Sequence, residues 1–217
     1  MNKSEKQLKM ILYGCNIVYI CCLFIGMFTA WKHDDKSGIG MGIVAMITPM
    51  IIPLIFHIKK FEVVYEIYIV SIIFMFFSSL LGSVFHWYHY PYFDKVVHFV
   101  SGWLATTLAV MLFFYLQKSN TFCDQGQKKI FIIFINVSNI AISALWEFFE
   151  YAMLIFFNND GINHYTTGVH DSMTDMLCAT IAGCMLTMYI IRYLKTGKPN
   201  FFINVYEKFY KRNVEIK

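Results

Sequence analysis

Six long runs of apolar residues recur along the chain, separated by short polar segments. A helix rises about 1.5 Å per residue, so each run is long enough to cross a hydrocarbon core about 30 Å thick. Only helices and closed barrels satisfy their backbone hydrogen bonds in such a core, and runs of this length favour helices. The pattern predicts an all-α, polytopic integral membrane protein with six transmembrane helices. The predicted spans are 8–31, 39–58, 63–87, 96–117, 130–157 and 173–194.

The composition supports a membrane protein and argues against a soluble one. Of the 217 residues, 58% are hydrophobic and 15% are charged, whereas a soluble domain has roughly 45–50% apolar and about 25% charged residues. We therefore expect one six-span membrane domain over residues 1–194, followed by a basic cytoplasmic tail over residues 195–217. Pro49 and Pro53 are expected to bend or interrupt the second span, because proline lacks a backbone N–H.

The lysines and arginines predict the orientation of the chain. If the N-terminus is cytoplasmic, fifteen of the eighteen lie in inner segments and three, Lys32, Lys36 and Lys95, lie in outer loops. Cytoplasmic loops of membrane proteins are enriched in these residues, so both termini are predicted to be cytoplasmic. The lipid bilayer is thus the expected partner, and the net charge of +4 does not call for a nucleic acid. The basic tail is expected either to lie on the inner leaflet or to be solvated.

Polar residues form one stripe on the fifth predicted span. They follow one another at steps of three, four, four and three residues, which places them on one face of a helix. A charged side chain near the middle of a membrane costs about 2.5–3.5 kcal/mol on insertion scales, so the two glutamates need partners. The stripe consists of Asn136, Asn139, Ser143, Glu147 and Glu150.

Residues that could pair with these glutamates lie at the beginnings of the fourth and sixth spans. Asp94 and His98 are four residues apart, and so are Asp171 and Asp175, a spacing that puts each pair on one helix face. In the predicted topology these helix beginnings share the outer membrane level with the end of the fifth span. Acids and a histidine at one level match a divalent-metal site or an acid–base pair.

A structural interpretation of the same residues is also open. Asp94 and Asp171 are suited to cap the helices that they begin, and Asp175 is favoured in a first helical turn by the helix dipole. His98 alone is typical of a hydrogen-bonded interfacial histidine. Capping does not account for Glu147 and Glu150, because they lie inside a span, and ionisable residues there indicate function.

Three short motifs, in the same order, are similar to those of known membrane families. FDKVVHFVSG, WEFFEY and HDSMTDMLCATIAG resemble the YjdF-like family of predicted bacterial inner-membrane proteins. More distantly they resemble VanZ-like proteins, one of which is associated with resistance to teicoplanin. The resemblance covers about residues 63–194. It implies a bacterial cytoplasmic membrane protein with a shared polar site formed by Asp94, His98, Glu147 or Glu150, Asp171 and Asp175.

Two departures limit what the resemblance implies. His170 stands where the YjdF-like pattern tends to have tryptophan, and residues 158–172 lack the arginine expected of VanZ-like proteins. A role in antibiotic resistance is therefore not inferred, and the resemblance names no substrate.

Three classes of function follow from these residues. In the first, an outward-facing acidic and histidine pocket binds a lipid-linked envelope molecule, or hydrolyses or transfers it with the help of a divalent metal ion. Asp94, His98, Glu147 and Asp175 would then bind the ion, and Glu150 or Asp171 would act as general base. In the second class the same acids carry protons or cations in a transporter. In the third they only hold helices together.

Overall fold

The computed structural model describes residues 3–161 and 163–215, and this part of the chain is helical and contains no strand. Two short 3₁₀ segments, Thr48–Met50 and Trp87–His89, and a π-helical segment, Phe76–Val84, interrupt the α-helices. The α-helices are α1 (Lys3–Lys32), α2 (Lys36–Ile47), α3 (Ile51–Lys59), α4 (Tyr65–Met75), α5 (Phe93–Gln117), α6 (Gln125–Phe157), α7 (Val169–Thr196) and α8 (Phe201–Asn213).

Within the described residues, six helical stretches are long and apolar enough to cross a membrane, which confirms the predicted six-span, all-α class. Each stretch includes most of one predicted span, with ends that differ by a few residues. The stretches are Lys3–Lys32, Lys36–Lys59, Tyr65–Val84, Phe93–Gln117, Gln125–Phe157 and Val169–Thr196.

The chain divides into two compact units, of which the first ends at Asp94. This unit contains α1 to α4, and its buried contacts join α1 and α2 to the third span. The Tyr19 hydroxyl on α1 donates a hydrogen bond of 2.6 Å to the backbone carbonyl of Ala45 on α2. The core cluster is Tyr19, Leu23, Ala45, Ile72, Leu80 and Val84.

The second span is interrupted at its first proline, as the sequence predicts. Helix α2 ends at Ile47, and Pro49 lies in the 3₁₀ turn Thr48–Met50. Helix α3 then begins at Ile51 and holds Pro53 near its start, where the missing N–H would have no helical partner.

The third span changes geometry midway, which the hydrophobic pattern does not reveal. Its α-helix ends at Met75 and continues as a π-helix through Val84. The N–H of Phe85 bonds to the carbonyl of Leu80 at 3.0 Å, the five-residue spacing of a π-helix. His86 follows with a left-handed φ of 59°, and its Nε2 lies 2.7 Å from Oδ2 of Asp35.

The second unit begins at Lys95 and contains most of α5 together with α6, α7 and α8. Gly102 on α5 lies against α7 so closely that a Cβ at this position would be 2.2 Å from the carbonyl oxygen of Ala179. Glycine is therefore required for this close approach of α5 to α7. Small residues are common where membrane helices pack closely. The close packing brings the beginnings of α5 and α7 side by side.

The basic tail forms a helix that packs on its own unit. Tyr206 of α8 is 6% exposed, and its ring stacks on that of Phe114 of α5 with centroids 4.9 Å apart. Apolar residues at 202, 203, 205, 206, 209 and 210 follow helical periodicity, which explains the buried face. The tail is therefore not fully solvated, because protein covers one face of its helix.

Candidate functional site

The second unit brings one histidine and two glutamates together from two helices. His98 lies in the second turn of α5, and Glu147 and Glu150 lie in the last third of α6. One ligand atom from each of the three side chains lies within 4.8 Å of the others. His98 is 5% exposed and Glu147 is 6% exposed, so these two side chains are largely removed from the surface, whereas Glu150 is half-buried.

A tryptophan one helical turn earlier fixes the outer glutamate. The indole Nε1–H of Trp146 donates a hydrogen bond of 2.7 Å to Oε1 of Glu150. The two residues are four apart on α6, the spacing at which helix side chains meet. This bond orients the Glu150 carboxylate relative to His98 and Glu147.

The two aspartates at the beginning of α7 share one lysine of α5. Lys95 Nζ lies 2.6 Å from Oδ1 of Asp171 and 2.8 Å from Oδ1 of Asp175. Asp175 is 1% exposed, and a carboxylate at such depth requires a charged or hydrogen-bonding partner. The loop before α7 adds a second partner, because Nδ2 of Asn163 donates to Oδ2 of Asp171 at 2.6 Å.

The lysine group and the histidine group adjoin each other. Nε2 of His98 is 3.9 Å from Oδ1 of Asp175, and Lys95 and His98 are three residues apart on α5, which places them on one face. The six side chains form what we call the acidic cluster: Lys95, His98, Glu147, Glu150, Asp171 and Asp175. Its four carboxylates outnumber its one lysine by three, so the cluster carries an excess of negative charge when the acids are ionised.

Five of the six residues predicted from the sequence belong to the acidic cluster. The sixth, Asp94, lies in the first turn of α5, one turn before His98, and is the last residue of the first unit. The structure does not support the capping interpretation of Asp171, because α7 begins at Val169 with Gly168 at the N-cap position. Asp94 likewise follows the first residue of α5 rather than preceding the helix.

Sequence reasoning missed three contributors to the cluster. Lys95 was interpreted as an outer-loop charge, although its three-residue spacing from His98 places it on the same helix face. Trp146 stands four residues before Glu150, a spacing that also signals contact. Asn163 gives no such signal, since it belongs to an irregular loop.

The other described histidines of the second unit do not belong to the acidic cluster. They are His164 and His170, and both are exposed. Of the described histidines in the second unit, His98 is therefore the one that contributes to the cluster.

A comparison with protein families gives the relationship of this chain. Residues 15–196 match the model of a family described as "Predicted membrane protein (DUF2238)". The chain belongs to this family. Membership of the DUF2238 family agrees with the six apolar helices and identifies a multi-pass membrane protein. The match supports the resemblance to YjdF-like membrane proteins, and the more distant VanZ-like resemblance stays a prediction.

The DUF2238 match reaches from α1 to the end of α7 and thus includes every residue of the acidic cluster. No curated protein matches the chain, and no solved structure does.

Proposed function

We propose that this DUF2238 membrane protein binds a divalent cation through His98, Glu147 and Glu150. The observation that supports this proposal is the approach of their ligand atoms to within 4.8 Å of one another. Bonds from zinc to imidazole nitrogen or carboxylate oxygen are about 2.0–2.2 Å long, so ligand atoms on opposite sides of an ion are at most roughly 4.4 Å apart. Small side-chain rotations would close the group around an ion.

The chemistry of the donors and their charge favour a cation over an anionic ligand. Imidazole nitrogen and carboxylate oxygen are donors that bind zinc and iron in proteins, and carboxylates also suit manganese. The surplus of carboxylates over lysine in the acidic cluster repels anions and attracts a doubly charged cation, and partial burial strengthens that attraction. Lys95 offsets only part of this charge, because Asp171 and Asp175 both face it.

The proposed chemistry is hydrolysis, transfer or binding of a lipid-linked envelope molecule. A bound divalent ion polarises an oxygen atom of the substrate and lowers the pKa of a bound water. The cluster lies within ten residues of the ends of α5, α6 and α7, about 15 Å at the helical rise. We propose Asp94 and Asp175 as further ligands and a bacterial cytoplasmic membrane with the cluster on the outer side. Asp171 is the proposed general base where Glu150 binds the ion, and Glu150 is the alternative base where Asp94 or Asp175 takes its place as ligand.

Metal content tests the proposal directly. The full chain is purified in detergent, stripped with chelator, and titrated with Mn²⁺ or Zn²⁺ while bound metal is counted by mass spectrometry. We expect one ion per chain, and we expect Glu147→Gln and Glu150→Gln to weaken binding more than about tenfold, since even changes around a ligand set cost 10- to 100-fold.

A matched variant distinguishes metal binding at this site from nonspecific binding of metal to carboxylates elsewhere in the chain. Glu66→Gln removes a carboxylate from the first turn of α4, in the first unit, and is expected to leave the affinity unchanged. A wild-type chain that holds neither metal in stoichiometric amount, or a Glu66→Gln effect equal to that of Glu147→Gln, would refute the site. Variants that lose stability while the wild type binds no metal would favour the purely structural interpretation.

A further inference from the structure

In the second unit, the end of α5, the beginning of α6 and the end of α7 meet away from the acidic cluster. Near this end the rings of Phe114 on α5 and Phe131 on α6 have centroids 5.1 Å apart. Helix α8 joins the same end, because the Tyr206 ring stacks on Phe114 and the Tyr193 hydroxyl of α7 donates a hydrogen bond to the Glu207 carboxylate. We call this part of the unit the basic end, for the charges that it carries.

Lysines and arginines outnumber acids at the basic end by nine to three, counted over residues 115–130 and 190–215. The basic residues are Lys118, Lys128, Lys129, Arg192, Lys195, Lys198, Lys208, Lys211 and Arg212, and the acids are Asp124, Glu207 and Glu215. An excess of six positive charges at one end of the unit favours an anionic partner.

Three of these cations surround the turn from α7 to α8. Arg192 and Lys195 are three residues apart near the end of α7, which places them on one helix face. Lys198 follows Gly197, the C-cap residue of α7. All three side chains belong to exposed residues, and none of them forms an ion pair within the part of the chain that the structure describes. Their charges are therefore available to an external anion.

The packing of α8 determines which of its residues face outward. Its buried residues, Tyr206 among them, lie against the protein, whereas Phe201, Asn204 and Lys211 are exposed. The exposed residues follow at steps of three and seven, so they lie on one helix face. Because the protein already covers the apolar face of α8, that face does not insert into a bilayer, and contact with lipid falls to the cations and to Phe201.

Large apolar side chains are exposed beside the cations. On α7 the exposed Met188 lies one turn before Arg192, and α8 begins with the exposed Phe201. Leu116 on α5 and Ile130 on α6 are exposed as well. A phospholipid offers both a phosphate group and acyl chains to such a mixed surface, whereas a nucleic acid or inorganic phosphate has no acyl chain. The combination of charge and exposed apolar area therefore favours a lipid.

We propose that the basic end binds the headgroups of anionic phospholipids, with the phosphate held by Arg192, Lys195 and Lys198. Clusters of lysine and arginine directly beside a membrane helix are typical of anionic-lipid binding. The arginine guanidinium can bind two phosphate oxygens at once, and the lysines add compact positive charges. In the orientation predicted from the lysines and arginines, these lipids belong to the cytoplasmic leaflet.

Lipid retention measured by native mass spectrometry tests this surface. The full chain is purified in a neutral detergent and titrated with phosphatidylglycerol or with phosphatidylcholine of the same acyl chains. We expect the anionic lipid to bind at least about tenfold more tightly, since each cation near a membrane surface contributes about fivefold. The double variant Lys195→Gln with Lys198→Gln is expected to lose about tenfold or more of the affinity for phosphatidylglycerol, and Lys195→Arg with Lys198→Arg is expected to retain it.

Two lysines of the first unit supply a matched control. Lys32 and Lys36 are exposed and flank the turn from α1 to α2, as Lys195 and Lys198 flank the turn from α7 to α8. Lys32→Gln with Lys36→Gln is expected to leave the affinity for phosphatidylglycerol unchanged. Equal losses in the two glutamine double variants would overturn the proposal.

Three further results would also overturn it. They are equal affinity for the two lipids, wild-type affinity in Lys195→Gln with Lys198→Gln, and displacement of phosphatidylglycerol by an equal concentration of inorganic phosphate. The surface is independent of the proposed metal site, because it contains no residue of the acidic cluster. Glu147→Gln is therefore expected to bind phosphatidylglycerol as the wild type does, even where it loses the metal ion.

Discussion

At the scale of single residues, Lys95 determines how the acidic cluster is held. A buried charge that loses its partner costs about 3–5 kcal/mol, and Asp175 is almost fully buried beside this lysine. The same lysine reaches Asp171, so one ammonium group stabilises two carboxylates of α7. Lys95 therefore has a structural role in addition to its predicted place among the outer-loop charges.

Asp35 provides a prediction about pH. The backbone N–H of Gly38 and, next, the imidazole of His86 hold the pKa of Asp35 below its ordinary value, against a smaller opposing effect of burial. A lowered pKa in the folded state adds stability above the unfolded value of about 3.9, and this stability is lost as the pH falls through the folded value. We expect Asp35→Asn to lower the unfolding temperature at pH 7 and to lower it less near pH 3.

The neighbouring Asp34 is the matched control for this measurement. It is exposed and has a left-handed φ of 55°, which asparagine tolerates well. Thermal unfolding of Asp34→Asn in detergent is expected to follow the wild type at both pH values. A difference between Asp35→Asn and wild type that grows toward acid pH would contradict the assignment.

The sequence predicts which residues form the candidate site better than it predicts the contacts between them. Periodicity alone placed Glu147 and Glu150 on one face, and four-residue spacing paired Asp171 with Asp175. The choice of Lys95 as their common partner depends on how closely α5 and α7 approach, and this distance is set by Gly102 against Ala179. A single sequence does not encode that choice in any local pattern.

At the scale of elements, α8 is the helix that the pattern of long apolar runs does not predict. It is too short to cross a bilayer, yet most residues of its apolar face are buried, and its Tyr206 ring stacks on Phe114 of the same unit. Burial raises the pKa of the Tyr206 hydroxyl, and this hydroxyl has no hydrogen-bond partner among the described residues. The stacked ring, rather than the hydroxyl, is therefore the stabilising part of this side chain.

Substitutions at Tyr206 separate the ring from the hydroxyl. Tyr206→Phe is expected to keep or raise the free energy of unfolding, because no hydrogen bond is lost. Tyr206→Ala is expected to lower it by about 3–5 kcal/mol, the usual cost of truncating a buried aromatic ring. Chemical denaturation in detergent provides the measurement.

Phe201 on the same helix is the control, since it is 50% exposed. Phe201→Ala is expected to change the free energy of unfolding by about 0.5 kcal/mol or less. Equal losses in Phe201→Ala and Tyr206→Ala would show that α8 is not held by its stacked face.

The elements also show where hydrophobic periodicity stops being informative. Pro49 predicts the break in the second span, because proline acts through its own ring and missing N–H. The π-helix Phe76–Val84 carries no comparable residue, and its average hydropathy is that of any span. The segment packs against α1 and α2, and these contacts lie outside its own sequence.

At the scale of the whole molecule, the number of spans follows from length and composition. Six spans place both ends of the membrane region on one side. The division of the chain at Asp94 into two units was not predicted, because the apolar runs on both sides of it have similar lengths and hydropathy.

Reporter fusions test the predicted orientation of these spans. Alkaline phosphatase folds into an active enzyme only outside the cytoplasm, so a fusion after Asn159 is expected to be active and one after Lys118 inactive. A fluorescent protein that matures in the cytoplasm is expected to fluoresce when joined to the C-terminus. The reverse pattern would contradict the orientation inferred from the lysines and arginines.

The glycine contact between α5 and α7 also limits how the second unit can move. Gly102 against Ala179 and Lys95 between Asp171 and Asp175 fasten the two helices at levels about 10 Å apart along α5, from a seven-residue separation. Two helices joined at two heights resist both sliding and rotation past each other. Access for a bulky ligand is therefore expected to come from displacement of the loop that contains Asn163, with α5 and α7 serving as the fixed wall.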